Sequence, residues 1–115
     1  MSEPAFDVVR ALGLALAGVE AATKYDGSPV LKVDAKFMAG VAMHASAEPG
    51  TLVVRAGREE RERLLEEAPE TYYVTDYYRR HPVVLVRLSR VGGDALRDLL
   101  LGSWRMTRAK SQRRP

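Results

Sequence analysis

Four of the five tyrosines, two arginines and one of the two histidines fall in a single run, Tyr72-Tyr73-Val74-Thr75-Asp76-Tyr77-Tyr78-Arg79-Arg80-His81. Tyrosine beside arginine suits base stacking and phosphate contact. The same pair is enriched at protein-binding hot spots. A tyrosine also serves as a core residue that keeps its hydroxyl at the rim. Strand alternation through residues 71–75 puts Tyr72 and Val74 on one face and Tyr73 on the other. Tyr72 or Tyr73 is therefore expected in the core, and Tyr78, Arg79 and Arg80 are expected to be the exposed part.

Other chemistry is sparse. There is no cysteine, which excludes disulfides, iron–sulfur clusters, thiolate zinc sites and cysteine nucleophiles. The two histidines, His44 and His81, stand in different segments; a metal site would need both plus carboxylates, and no pair of histidines stands at ligand spacing. The chain contains neither a phosphate-binding glycine signature nor a nucleophile-elbow serine. Val91-Gly92-Gly93-Asp94 reads as a turn followed by an N-cap aspartate. No catalytic residue, metal or cofactor is assigned, and a non-enzymatic binding domain is the expectation.

These residues must be positioned by a small scaffold. A chain of 115 residues, 46% hydrophobic, suits one core and is too apolar to stay disordered. Phe6, Val9, Leu12 or Gly13, and Leu16 recur at helical spacing, which predicts an amphipathic first helix over about 4–17 ended by Gly18. The run Ala11 to Ala17 resembles a signal-peptide core. The acids Glu3 and Asp7 stand where such a peptide carries positive charge, so a packed helix is preferred.

A short strand near Glu20 is allowed over 19–25. Strands are predicted over 30–33, 36–44, 51–55, 71–75 and 83–88. Asp34-Ala35 is short enough for a hairpin turn, although it lacks the usual glycine. A charged helix covers 58–68, with Arg61, Leu64, Leu65 and Ala68 on its inner face and Pro69 as its stop. Its charges are spaced for i,i+4 pairs: Arg58 with Glu62, Glu59 with Arg63, and Arg63 with Glu67. Leu96, Leu99, Leu100 and Trp104 form the stripe of a last helix. The order α-β-β-β-α-β-β-α is not strict alternation. It predicts a two-layer α+β domain with a mainly antiparallel sheet of five to six strands and its helices on one face.

Charge is uneven. The formal net charge is +3, yet Arg105, Arg108, Lys110, Arg113 and Arg114 stand in an acid-free C-terminal stretch. Acids outnumber cations in the rest. The chain is therefore divided into a domain over 1–107 and a basic tail over 108–115. Alternation in the strands places Lys32, Arg55 and Arg87 together on the face away from the helices.

The segments Gly18-Val19-Glu20, Gly27 to Val33, Arg61 to Leu65, Tyr72 to Arg87 and Leu96 to Trp104 resemble the MmcQ/YjbR family. The most specific part is Tyr73-Val74-Thr75 followed by Tyr78-Arg79 and Pro82-Val83-Val84-Leu85-Val86-Arg87-Leu88. The resemblance implies a compact α+β fold similar to frataxin-like and secretion-chaperone-like domains, and a predicted DNA-binding role. The chain departs from the family where histidine is often found at Tyr77, tryptophan at Val83 and proline at Ala17.

Two functions are expected, in this order. The first is binding of DNA or another nucleic acid through Lys32, Arg55, Tyr77, Tyr78, Arg79, Arg80 and Arg87, with Arg108 and Lys110 of the tail. The second is a protein-interaction or chaperone-like module, self-association included, that uses Val53, Val83 and Leu85 as an apolar patch on the open face. A small-ligand pocket under the tyrosine segment is a third. A cytoplasmic location without membrane attachment is expected.

Overall fold

A computed structural model describes residues 4–112, with side chains over 6–109. The elements in order are α1 (Pro4–Leu14), β1 (Val19–Thr23), β2 (Pro29–Val33), β3 (Lys36–Val41), β4 (Thr51–Arg55), α2 (Arg58–Glu67), β5 (Tyr72–Tyr73), α3 (Asp76–Arg79), β6 (Val83–Arg87) and α4 (Gly93–Gln112). The strands form one antiparallel sheet in the order β1-β2-β3-β4-β6-β5. The first four strands are a meander. Strand β6 then returns beside β4 and leaves β5 at the far edge. The short strand allowed near Glu20 is present as β1.

One sheet face carries the main core. Leu31, Val33, Met38, Leu52, Val54, Val84 and Val86 meet Phe6 and Val9 of α1, Leu64 of α2, and Leu96, Leu99 and Leu100 of α4. Burying each such side chain contributes about 1.5–3 kcal/mol, so the alternating strands and helical stripes dictate the layering. Gly13 lets α1 approach closely, because a Cβ there would overlap Leu31 Cδ1. Just beyond the end of α1, Trp104 Nε1 donates to Ala17 O at 2.8 Å.

Several local expectations change. Helix α1 stops at Leu14, and a turn carries the chain to Gly18 at φ +78°. Helix α4 starts at Gly93, so Asp94 lies in its first turn rather than at the N-cap. There its charge still meets the positive end of the helix dipole. Arg61, Leu64, Leu65 and Ala68 do face inward. Arg63 pairs with Glu67 as spaced, but its second partner is Glu60, one turn away at i,i+3. Strand β3 ends at Val41, three residues early, and residues 42–50 fold back over the open face.

That face is therefore not bare. Val53, Val83 and Leu85 are covered by Tyr78, with Phe37, Ala42, Ala47, Tyr73 and Val74 packed around them. The three aliphatics are at most 7% exposed. They form a second, smaller core and not the open apolar patch expected of an interaction module. The helices α1, α2 and α4 lie on one side as expected, while the single turn α3 sits on the other.

Candidate functional site

The fold-back of residues 42–50 and the turn α3 build a groove on the open face. Its wall and floor come from four parts of the chain. The β1–β2 turn supplies Lys24, Tyr25 and Asp26. Strands β3 and β4 supply Phe37, Val41, Val53 and Arg55. The β3–β4 loop supplies Met43 and His44, and the α3–β6 stretch supplies Tyr77, Tyr78, His81, Pro82 and Val83. The volume is about 660 Å³, within the range of sites that take nucleotide-sized ligands. Both histidines of the chain, far apart in sequence, line it.

The tyrosines divide into two kinds. Tyr78 is buried at 9% exposure and Tyr77 is 42% exposed. This reverses the expected exposure of Tyr78. In α3, Thr75 caps the turn by accepting from the Tyr78 N–H, and successive residues of a helix point about 100° apart. Only one of the pair can face the sheet, and Tyr78 does so over Val53, Val83 and Leu85. Its hydroxyl accepts from the His44 N–H at 3.3 Å and so holds the β3–β4 loop. Tyr72 lies in the main core, as one of the first pair was expected to, and burial pushes its phenol pKa up. Tyr73 is tied by its hydroxyl to the Glu48 N–H at 2.8 Å and to Thr51 Oγ1 at 2.7 Å.

Tyr25 and Tyr77 are the free kind: both rings are exposed, and their hydroxyls, like that of the core residue Tyr72, have no hydrogen-bond partner among the described residues. Tyr25 is fully exposed, at 103%. Tyr77 stacks flat on His44, with ring centroids 3.6 Å apart and planes 9° from parallel. Tyr78 stands edge-on to Tyr77 at 5.0 Å. The His44 ring is fixed from behind, since its Nδ1 accepts from the Ser46 N–H at 3.1 Å. In the neutral ring this bond leaves the proton on Nε2.

The cations divide as well. Arg55 lines the groove and is anchored by Nε donating to Phe37 O at 2.9 Å. Lys32 lies opposite Phe37 in the β2–β3 register and opposite Glu20 in the β1–β2 register. Arg79 and Arg80 are exposed beside the groove, and Arg79 approaches Asp76 at 4.0 Å.

Arg87 is on the expected face but is engaged. It grips Glu48 through two bonds of 2.9 and 2.8 Å, donates to Pro69 O and Glu70 O, and lies 4.3 Å over the Tyr73 ring. That grip holds the Glu48 carboxyl below its ordinary value. Arg108 belongs to the helix layer, 5.1 Å over Trp104. Helix α4 continues through Gln112, so Lys110 is on it. The Lys110 side chain, Arg113 and Arg114 lie outside the described residues. The one acid in the groove, Asp26, is committed to its own turn. Ser28 Oγ–H and N–H both donate to it and hold its carboxyl below the usual range.

Arg61 positions one wall. It is 4% exposed, and its Nη1 donates to the carbonyls of Arg79, His81 and Val83 at 3.3, 3.0 and 3.1 Å. A helix that otherwise reads as a solvated charge run thereby clamps the α3–β6 connection.

The YjbR family model matches residues 14–106. The chain belongs to the YjbR family. No curated protein matches the chain in sequence. A crystal structure of the Deinococcus radiodurans protein DR2400, which carries a DUF419 domain, is similar in fold. Its TM-score is 0.76 at 21% identity, over 96% of this chain and 85% of that one. Tyr77 and Val83, the two positions at which the sequence resemblance implies histidine and tryptophan, both line the groove.

Sequence reasoning missed Lys24, Tyr25, Asp26, Phe37, Met43 and His44 as groove residues. The available signal was the turn Asp26-Gly27-Ser28-Pro29 directly after Tyr25: an aromatic at a hairpin tip has no core to enter. No local signal marks the fold-back that brings in His44.

Proposed function

We propose that the open face of this YjbR domain binds nucleic acid. The observation that carries the reading is the excess of cations on the open face. In the helix layer acids outnumber cations only on α2, where Glu59, Glu60, Glu62, Glu66 and Glu67 stand with Arg58, Arg61 and Arg63; α4 sets Arg97, Arg105, Arg108 and Lys110 against Asp94 and Asp98. On the open face Lys24, Lys32, Arg55, Arg79, Arg80 and Arg87 outnumber Glu20, Asp26, Glu48 and Asp76, and of these acids Glu48 pairs with Arg87 and Asp76 approaches Arg79. Lys24, Arg55 and Arg80, like Lys32, have no acidic partner within ion-pair distance among the described residues. Such a face tolerates a phosphate backbone that the acidic surface of α2 would repel.

Gel-shift titration at about 50 and 200 mM salt tests this. Three neutralised phosphates predict a roughly 20- to 40-fold loss of affinity across that interval. The double variant Arg55→Gln with Arg80→Gln is expected to flatten the salt dependence. Absence of binding at the lower salt rejects the proposal.

A second reading, self-association, is favoured by one other surface. Val8 and Leu14 of α1 are 52% and 47% exposed, and Ala11 lies between them on the outer side. Light scattering decides it: a dimer broken by Leu14→Glu supports the reading, and a strict monomer at high concentration rejects it.

A further inference from the structure

We infer that the groove takes unpaired nucleobases, so that the ligand of this face is single-stranded nucleic acid and not duplex. The inference rests on the nucleic-acid reading above and adds what the strand must look like.

The first argument is exposure. Among the described residues five large hydrophobics stay exposed: Val8, Leu14, Tyr25, Met43 and Tyr77. Three of them line this one groove. Apolar side chains concentrated in a concavity mark a binding site. A duplex offers them little, because its base faces are stacked away and only base edges and thymine methyls show in its grooves. An unpaired base offers a flat apolar face of the right kind.

The second argument is preorganisation. The His44–Tyr77 pair is already a parallel stack, and a base laid against it continues a stack instead of starting one. Each ring is held by a separate device. Ser46 fixes the imidazole through Nδ1. The capped turn α3 sets Tyr77, and Arg61 anchors the connection that follows it. Aromatic platforms that move little on binding lose little conformational entropy.

The third argument is polarity. The structural tyrosines Tyr73 and Tyr78 have their hydroxyls occupied, whereas Tyr25 and Tyr77 do not. With Nδ1 accepting from the Ser46 N–H, the His44 ring carries its proton on Nε2, which finds no partner among the described residues. A stacking surface with free donors at its edges suits a base, whose rim carries acceptors, better than a purely apolar ligand. Arg55, anchored through Nε beside the stack, leaves its terminal nitrogens for the phosphate that links successive bases.

Fluorescence anisotropy with a labelled 12-mer tests the inference. The same sequence is offered as single-stranded DNA, as single-stranded RNA and as blunt DNA duplex, to the wild type, Tyr77→Ala, Tyr77→Phe and Tyr25→Ala. The expected result is single-strand binding at least about tenfold tighter than duplex binding. Tyr77→Ala should weaken the single strand about tenfold, while Tyr77→Phe should retain most of the affinity. Tyr77 is exposed, and circular dichroism confirms that the variants fold. Whichever single strand binds more tightly identifies the sugar, and either supports the inference. Equal or tighter duplex binding, or a Tyr77→Ala variant that binds single strands like wild type, overturns it and leaves the nucleic-acid reading standing. Absence of binding to all three probes removes both.

Discussion

Replacing Arg61 by methionine tests how the groove wall is held. Methionine keeps most of the aliphatic length and removes the guanidinium. Three carbonyls, of Arg79, His81 and Val83, then lose a charged donor. A hydrogen bond to a charged group contributes about 1.5–3 kcal/mol, but the three share one nitrogen and do not add. His81 O keeps a second donor, the Val83 N–H at 2.8 Å. Two effects oppose the loss. No carboxylate among the described residues pairs with Arg61, and its Nε is buried without a partner, so the variant is relieved of a costly buried cation. We expect a net loss of about 2 kcal/mol, which lowers Tm by roughly 8 °C for a domain of this size. Urea unfolding followed by circular dichroism measures it, and the midpoint should fall with little change in slope. Arg61→Lys should lie between variant and wild type. Nucleic-acid affinity should fall with stability, because Tyr77 directly precedes the clamped segment and His81 lies within it. A methionine variant within about 0.5 kcal/mol of wild type would refute the reasoning, since the clamp would then contribute no more than burial of the charge costs.

Three further outcomes follow from the fold. Gly13→Ala should destabilise by about 1–3 kcal/mol by pushing on the fully buried Leu31, measured by the same urea titration. Ala35→Gly should stabilise by about 1 kcal/mol, because Asp34 and Ala35 both hold positive φ, 54° and 64°, which costs an alanine but not a glycine. A lower thermal midpoint for Ala35→Gly would contradict that. The third concerns acid. Arg87 lowers the Glu48 carboxyl below its ordinary 4.5, so the folded value lies below the unfolded one. The contribution of this pair is complete above the unfolded value and is lost as pH falls through the folded value. Wild type and Glu48→Gln should therefore differ in stability at neutral pH and converge in acid. A difference that persists in acid would show that the charge is not the cause.

The sequence alone determined the layering. Alternation in β2, β4 and β6 and the leucine stripe of α4 assign each side chain to a face, because periods of 2 and 3.6 permit only one apolar side. The inward Arg61, the core position of one of Tyr72 and Tyr73, and the shared face of Lys32, Arg55 and Arg87 were legible for the same reason. The family was legible too, from Tyr73-Val74-Thr75 and the segment that follows. What only the tertiary structure decided was which surface remained available. Tyr77 and Tyr78 are neighbours of one type, and their fates split only once Thr75 capped a single helical turn and the sheet selected Tyr78. Arg87 reads as a free cation until Glu48, 39 residues away, closes on it. His44 enters the groove because the β3–β4 loop packs its alanines over Val53 and Leu85. Each of these depends on contacts between segments distant in the chain, and local periodicity carries no record of them.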